Sequence, residues 1–344
     1  MTGRERVLAM MDHRPVDRIP FMPITMMFAA DQIGVKYGEY VRDYRVLVEA
    51  QLRTAERFDI DHVSCISDPA REACDLGAHV RFFDDQPPAV DESQALLADK
   101  KTLAALKVPD PLSGGRMHDR VQAAALLKEK VAGEKIVEGW IEGPCTEAAN
   151  LRGINHLMLD FMDDPAFVQD LFDFVVEMEL GFARAQAQAG VELMGVGDAA
   201  VSLAGPAIFR RLIMLAHKKL VDGLRAMGLR TRSHMCGNTR KILKERGELG
   251  YDMIELDSMV PMADARLNMP GEVLIGNVGT VQVLRNGCVQ DVVEAVTKCR
   301  EDAGDLYIIA AGCEVPRDTP EENMLAMLEF ARAHKPAAPP AAHS

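Results

Sequence analysis

Leu229-Arg230-Thr231-Arg232-Ser233-His234-Met235-Cys236-Gly237-Asn238 carries a short strand pattern over 229–233 and runs straight into a histidine and a cysteine two residues apart. Its reading decides the fold because comparable runs recur on both sides of it. Apolar or β-branched stretches lie at 19–24, 62–66, 136–141 and 191–196 before it, and at 253–256, 273–275 and 307–310 after it, making eight strand candidates. Segments with apolar residues recurring at three and four fill the intervals at 41–58, 165–189, 206–227, 239–247, 289–303 and 321–334. A short amphipathic helix at 4–12 precedes the first strand. Strands alternating with helices indicate parallel βαβ units, and eight of them favour a closed α/β (β/α)8 TIM barrel over an open doubly wound sheet. The first strand is not followed by a Gly-x-Gly-x-x-Gly turn, which argues against a dinucleotide-binding fold.

The barrel is expected to occupy residues 1–335 as one domain. An excursion is expected around 82–111, where Pro87-Pro88 and Pro109-Asp110-Pro111 interrupt the periodicity. The Ala- and Pro-rich end, 336–344, lacks core-forming residues and reads as a disordered tail.

With 48% hydrophobic and 26% charged residues in 344, the chain can bury a sizeable core without disulfides. Its formal net charge of -13 opposes nucleic acid and anionic membrane surfaces as partners, although it says nothing of local charge inside a cleft. Arg4, Glu5 and Arg6 follow the start where a leader would be apolar, and no apolar run is long enough to span a bilayer, so the protein is expected to be cytoplasmic. Seven scattered cysteines fit reduced thiols and metal ligands better than a disulfide framework.

The sharpest chemistry lies at His234-Met235-Cys236, just past the fifth strand candidate, and Gly312-Cys313, just past the eighth. Both positions are where a barrel carries its active-site loops. In an extended His-x-Cys the two side chains point the same way, and one imidazole with two thiolates suits zinc. Three protein ligands leave a fourth position open, where a substrate thiol would lose its proton and become a nucleophile. The same residues also read as a hydrogen-bonded loop histidine and two buried thiols, and spacing alone leaves both readings open. Asp68, Glu142, Asp198, Asp257 and Asn277 fall at other strand ends, each equally readable as a site residue or as a cap or turn. Asp68 before Pro69 and Asp198 before two alanines look especially like caps.

Taken in order, several strings resemble the uroporphyrinogen decarboxylase superfamily over nearly the whole chain. They are Arg4-Glu5-Arg6-Val7, Asp17-Arg18-Ile19-Pro20, Ser67-Asp68 with Leu76-Gly77, and Glu142-Gly143-Pro144. His234-Met235-Cys236-Gly237, Leu274-Ile275-Gly276-Asn277 and Thr319-Pro320-Glu321-Glu322-Asn323 complete the match. The resemblance implies the (β/α)8 fold. Decarboxylases of that superfamily carry an arginine- and glycine-rich loop after the first strand, whereas residues 24–30 here contain no arginine. They also tend to have histidine in place of Cys313. The chain is instead similar to the methyltransferase branch, in which zinc binds a thiol and a methyl group is taken from methylcobalamin or a methylated corrinoid protein.

That resemblance implies Zn2+ on His234, Cys236 and Cys313, with Glu142 as a labile fourth ligand. It makes Asp198 a candidate for orienting the zinc histidine or the methyl donor, Asp68 a further catalytic candidate, and Asn277 a candidate cofactor contact. A corrinoid protein and a small thiol such as coenzyme M, or another small methyl acceptor or donor, are the expected partners. The chain has no Asp-x-His-x-x-Gly module of its own for cobalamin. Arg71 and Arg152 are candidate cations for a sulfonate. The direction of transfer stays open, as do uroporphyrinogen-type decarboxylation and a non-catalytic corrinoid- or zinc-binding role.

Overall fold

A computed structural model describes residues 1–337. Seven parallel strands form one sheet in the order β1 (His62–Ser64), β4 (Ile136–Glu142), β5 (Leu193–Gly197), β6 (Arg230–Met235), β7 (Met253–Leu256), β8 (Val273–Val278) and β9 (Tyr307–Ala311). The first expected strand, 19–24, is reduced to a single bridge from Phe21 to Ile309. Pro20 and Pro23 explain the reduction, because each removes an N–H that a full ladder would need. The bridge still closes the sheet. Ile309 N–H donates to the Pro20 carbonyl at 2.9 Å, Met22 N–H to Ile309 at 2.9 Å, and Asp61 N–H to Phe21 at 3.0 Å, so the segment joins β9 to the residue before β1. The fold is therefore the expected (β/α)8 barrel, with one stave made of proline-interrupted chain.

The outer helices follow their apolar periodicity. Tyr44–Arg57, Pro165–Gln188, Val289–Ala303 and Glu321–Ala333 lie within three residues of the sequence expectation at every end. Helices Arg116–Val131, Pro144–Arg152 and Ile154–Asp163 escaped it. The expected helix at 206–227 begins earlier, at Val201, and bends at Gly205 before a π-turn over Phe209–Ile213. The region of the expected excursion carries a hairpin, β2 (Val80–Arg81) with β3 (Ala89–Val90), followed by two 3₁₀ turns. Of the expected tail, Pro336 is buried and Ala337 N–H donates to Asp305 at 2.9 Å; residues 338–344 lie outside the described part. Among the described residues no helix is long and apolar enough to cross a membrane.

One end of the barrel is plugged. Helix Gly3–Met11 starts on a capping box formed by Thr2 and Glu5 and buries Val7, Met10 and Met11. These pack with Ile136, Leu193, Met253 and Val273, the opening residues of β4, β5, β7 and β8. The helix thus seals the N-terminal rim and leaves the C-terminal rim for a site. Arg6 fixes it there, donating to Asp61 at 2.5 Å and to Asp17 at 2.6 Å. Asp61, 1% exposed, also accepts from Arg18 at 3.0 Å and from Phe21 N–H at 2.8 Å, so one carboxylate ties plug, closing segment and β1 together. Asp61→Ala should cost about 1–3 kcal/mol, because Arg6 and Arg18 lose their shared buried acceptor and keep only the carboxylates of Asp17 and Asp59. Denaturant unfolding reads the loss, and a change below about 1 kcal/mol would show that the seam does not depend on this carboxylate.

Candidate active site at the C-terminal rim

The alternation of strand side chains builds the site. On β4, Glu138, Trp140 and Glu142 share one face; on β6, Arg232 and His234 do, and Cys236 follows at the same spacing. The β6–β7 register sets His234 opposite Glu255. The result is a layer of charge inside the barrel. Arg232, fully buried, donates to Glu255 at 2.8 and 3.1 Å, to Glu138 at 3.0 Å, and to the Met22 carbonyl at 3.3 Å. His234 Nδ1 stands 2.8 Å from Glu255 Oε2, which aims the other ring nitrogen at the rim. Burial alone would raise the Glu255 carboxyl, but Arg232 and His234 outweigh it and hold it at about 2.

His234, Cys236 and Cys313 come together at that rim. His234 Nε2 lies 2.9 Å from Cys236 Sγ and 3.6 Å from Cys313 Sγ, and the two sulfurs are 3.7 Å apart. In a tetrahedral zinc site, bonds of about 2.3 Å to sulfur and 2.0 Å to nitrogen space ligand atoms roughly 3.5 to 3.8 Å apart. Two of the three edges match that spacing and the third is shorter. Donor types and two of the three separations therefore fit a zinc ion with one position left over, and the His234–Cys236 edge would open by about 0.6 Å to admit it.

Backbone constraints place the two cysteines. Gly237, at φ +80°, turns the chain after Cys236, and its N–H donates to Asp257 Oδ2 at 2.8 Å. Gly312, before Cys313, runs so close to the next loop that a Cβ there would sit 2.4 Å from Ser258 N. The Gly-Cys pair is thus explained by close approach of two main chains.

The trio lines a cleft of about 200 Å³ together with Ile24, Met26, Ile66, Trp140 and four carboxyl groups, those of Asp68, Glu142, Asp198 and Glu314. Glu142 Oε1 accepts from Arg71 at 3.1 Å; burial pushes its carboxyl up to about 8 against that guanidinium, with Glu72 and Asp198 adding to the rise. Asp68 is clamped by Arg116 through contacts of 2.8 and 2.5 Å. Asp198 is fully buried and accepts from Cys145 N–H at 3.0 Å, Thr146 N–H at 2.7 Å, Thr146 Oγ1 at 2.9 Å and His217 at 2.9 Å. It caps helix Pro144–Arg152 from the neighbouring strand, and Gly143 makes room, since a Cβ there would lie 2.4 Å from Asp198 Oδ2. The side chain that contacts the zinc-candidate histidine is Glu255, not Asp198.

Two expected site residues stand apart from the cleft. Asn277 Nδ2 donates to the Asp257 and Val260 carbonyls at 3.0 and 2.7 Å, bracing the loop after β7. Arg152 is held by Asp160 at 2.7 Å and by the Leu97 carbonyl at 2.6 Å, which makes it a structural cation. Arg71 does line the cleft. Sequence reasoning missed Glu255, Arg232, Arg116, Trp140 and Glu314; a lone charge in the otherwise apolar strand Met253–Leu256 was the available signal for Glu255.

A family model described as uroporphyrinogen decarboxylase (URO-D) matches residues 2–334. The chain belongs to the uroporphyrinogen decarboxylase family. It is 26% identical over 341 residues to the methylcobamide:CoM methyltransferase MtbA of Methanosarcina mazei, covering 97% of this chain and 98% of the relative. It is 23% identical over 339 residues to MtaA of Methanosarcina barkeri, which bears the same activity in its name, covering 95% and 96%. The uroporphyrinogen decarboxylase of Streptomyces avermitilis is 26% identical over 310 residues, covering 86% and 83%. A solved structure of a methyltransferase from Methanosarcina mazei superposes with a TM-score of 0.88 at 22% identity over 97% of this chain and 98% of that one, which fixes the fold.

Trp140 is the sole tryptophan and its ring centroid lies 6.3 Å from that of His234. Its emission should therefore report on the trio. Titrating metal-stripped protein with Co2+ should quench it to saturation at about one equivalent, and Cys313→Ala should abolish the response. Unchanged emission in the wild type would mean that the trio takes no metal.

Proposed function

We propose that this chain is a zinc-dependent corrinoid methyltransferase, moving a methyl group between a methylated corrinoid, free or carried on a partner protein, and a small thiol. The observation that carries the reading is the His234, Cys236 and Cys313 trio, with ligand atoms 2.9 to 3.7 Å apart at the floor of an open cleft. The names borne by the full-length Methanosarcina relatives support it. Zinc held there would keep a bound thiol ionised at neutral pH.

The chain's own residues supply the rest. Glu255, itself fixed by Arg232, stands 2.8 Å from His234 Nδ1, where it would orient the ring. Glu142, on the cleft wall with Arg71, is the candidate fourth ligand that an arriving thiol would displace. Ile24, Met26, Ile66 and Trp140 make the remaining wall apolar, which excludes water from the transfer. Arg71 is the one arginine or lysine lining the cleft among the described residues, which makes it the candidate contact for an anionic end of the thiol. The decarboxylase reading fares worse, because a substrate with several carboxylates needs several cations, and the cleft lining pairs four carboxyl groups with one guanidinium.

Metal analysis of protein purified under reducing, chelator-free conditions should find about one zinc, lost in His234→Ala and Cys313→Ala. Wild type should then methylate thiols from methylcobalamin, and both variants should fall by about a hundredfold or more. Absence of zinc, or full activity in the variants, would overturn the proposal. Glu255→Gln should weaken zinc affinity roughly 10- to 100-fold in a chelator competition, and unchanged affinity would remove its orienting role. Arg71→Gln should raise KM for 2-mercaptoethanesulfonate about tenfold more than for 2-mercaptoethanol. Equal effects on the two thiols would take Arg71 out of anion recognition.

A further inference from the structure

Behind Arg71 lies a second group of potential ligands that the methyl-transfer reading does not use. Glu72 on helix Arg71–Asp75, Glu147 on helix Pro144–Arg152 and Glu179 on helix Pro165–Gln188 are each fully buried. One carboxylate oxygen from each lies within 4.8 Å of the others. The partners for these groups are few. Glu72 Oε1 accepts from Arg71 at 3.1 Å and Glu147 Oε2 from Asn150 at 2.9 Å. Among the described residues, Glu72 Oε2, Glu147 Oε1 and both oxygens of Glu179 have no hydrogen-bond partner.

Glu179 is the decisive member. It projects from the middle of a 24-residue helix into the interior, with neither oxygen bonded to a donor among the described residues. A buried polar group without a partner is costly, and a natural chain keeps one where something absent from the polypeptide completes it. The single guanidinium at the cluster, that of Arg71, is shared between Glu72 and Glu142. One arginine therefore faces four carboxyl groups. Burial pushes the carboxyl groups of Glu147 and Glu179 well above their ordinary range and raises that of Glu72. Holding all three protonated at neutral pH would forfeit free energy at every site, whereas one cation would serve all four unpartnered oxygens together.

We propose that Glu72, Glu147 and Glu179 hold a hard divalent cation, Mg2+, Mn2+ or Ca2+, at a site distinct from the His234, Cys236 and Cys313 trio. The donor set is all oxygen, which selects this class over zinc. Separations of no more than 4.8 Å leave room for it, because adjacent oxygens on an ion bound at about 2.1 to 2.5 Å stand roughly 3 to 3.5 Å apart and opposite ones roughly 4 to 5 Å. Such an ion would pin three helices to one another behind the cleft wall. It would also relieve Arg71 of excess negative charge, leaving that guanidinium to position Glu142.

The test uses full-length protein stripped with chelator and then titrated with MnCl2, followed by calorimetry and by the loss of the free-ion electron paramagnetic resonance signal. Wild type should bind about one Mn2+, and its Tm should rise by several degrees. Cys313→Ala should retain this binding, which separates the site from the trio, while Glu179→Gln should lose at least about tenfold in Mn2+ affinity and keep its zinc. Glu147→Gln, expected to behave in the same way, serves if Glu179→Gln does not fold. Failure of folded wild type to bind Mn2+, Mg2+ or Ca2+ at millimolar concentration would overturn the proposal and identify the cluster as protonated acids. Mn2+ binding that Cys313→Ala abolishes, or that both glutamine variants keep, would overturn it too.

Discussion

Arg232 is the side chain on which the rest of this barrel depends. It lies inside the closed sheet, where a charge survives only if every face of it is answered. Glu138 from β4, Glu255 from β7 and the Met22 carbonyl of the closing segment answer it, so one guanidinium gathers two other strands and the seam. The same arrangement leaves Glu255 with a second oxygen contact for His234. The histidine of the rim thus inherits its orientation from an ion pair deep in the barrel. Structure and chemistry share one set of bonds here, and a substitution at Arg232 would disturb both.

The parts legible from the sequence are those governed by local pattern. Seven strands and the long helices other than Arg116–Val131 follow from apolar spacing, and His234, Cys236 and Cys313 could be singled out because their residue types are informative wherever they stand. The strand at 19–24 was overread because its apolar content looked sufficient, while Pro20 and Pro23 left it only a bridge. Glu138 and Glu255 interrupt apolar strands, but the pattern alone does not say whether such a charge points into the barrel or out of it. Asp198 sat where a barrel carries functional residues, but the amides it caps belong to Cys145 and Thr146, more than fifty residues back. The three glutamates at the second cluster come from three separate helices, two of which the periodicity had not revealed.

The cleft has a division of labour that its composition makes plain. One side supplies soft ligands held by main-chain constraints at Gly237 and Gly312. The opposite side supplies carboxyl groups held by arginines, with Asp68 on Arg116 and Glu142 on Arg71. Between them lies apolar surface from Ile24, Ile66 and Trp140. A reacting group placed there meets fixed dipoles and little water, the condition under which positioned charges act most strongly.

The cap that Asp198 gives to helix Pro144–Arg152 has a consequence for the order in which this rim is assembled and for how it loosens. The helix cannot complete its first turn from its own sequence, since Gly143 offers no side chain and the needed acceptor arrives with the next strand. The amide protons of Cys145 and Thr146 are therefore guarded by a residue of the cleft wall. Their exchange with solvent measures the integrity of that wall, and an opening of the β5 loop would be registered at these two amides while the body of the helix stayed protected.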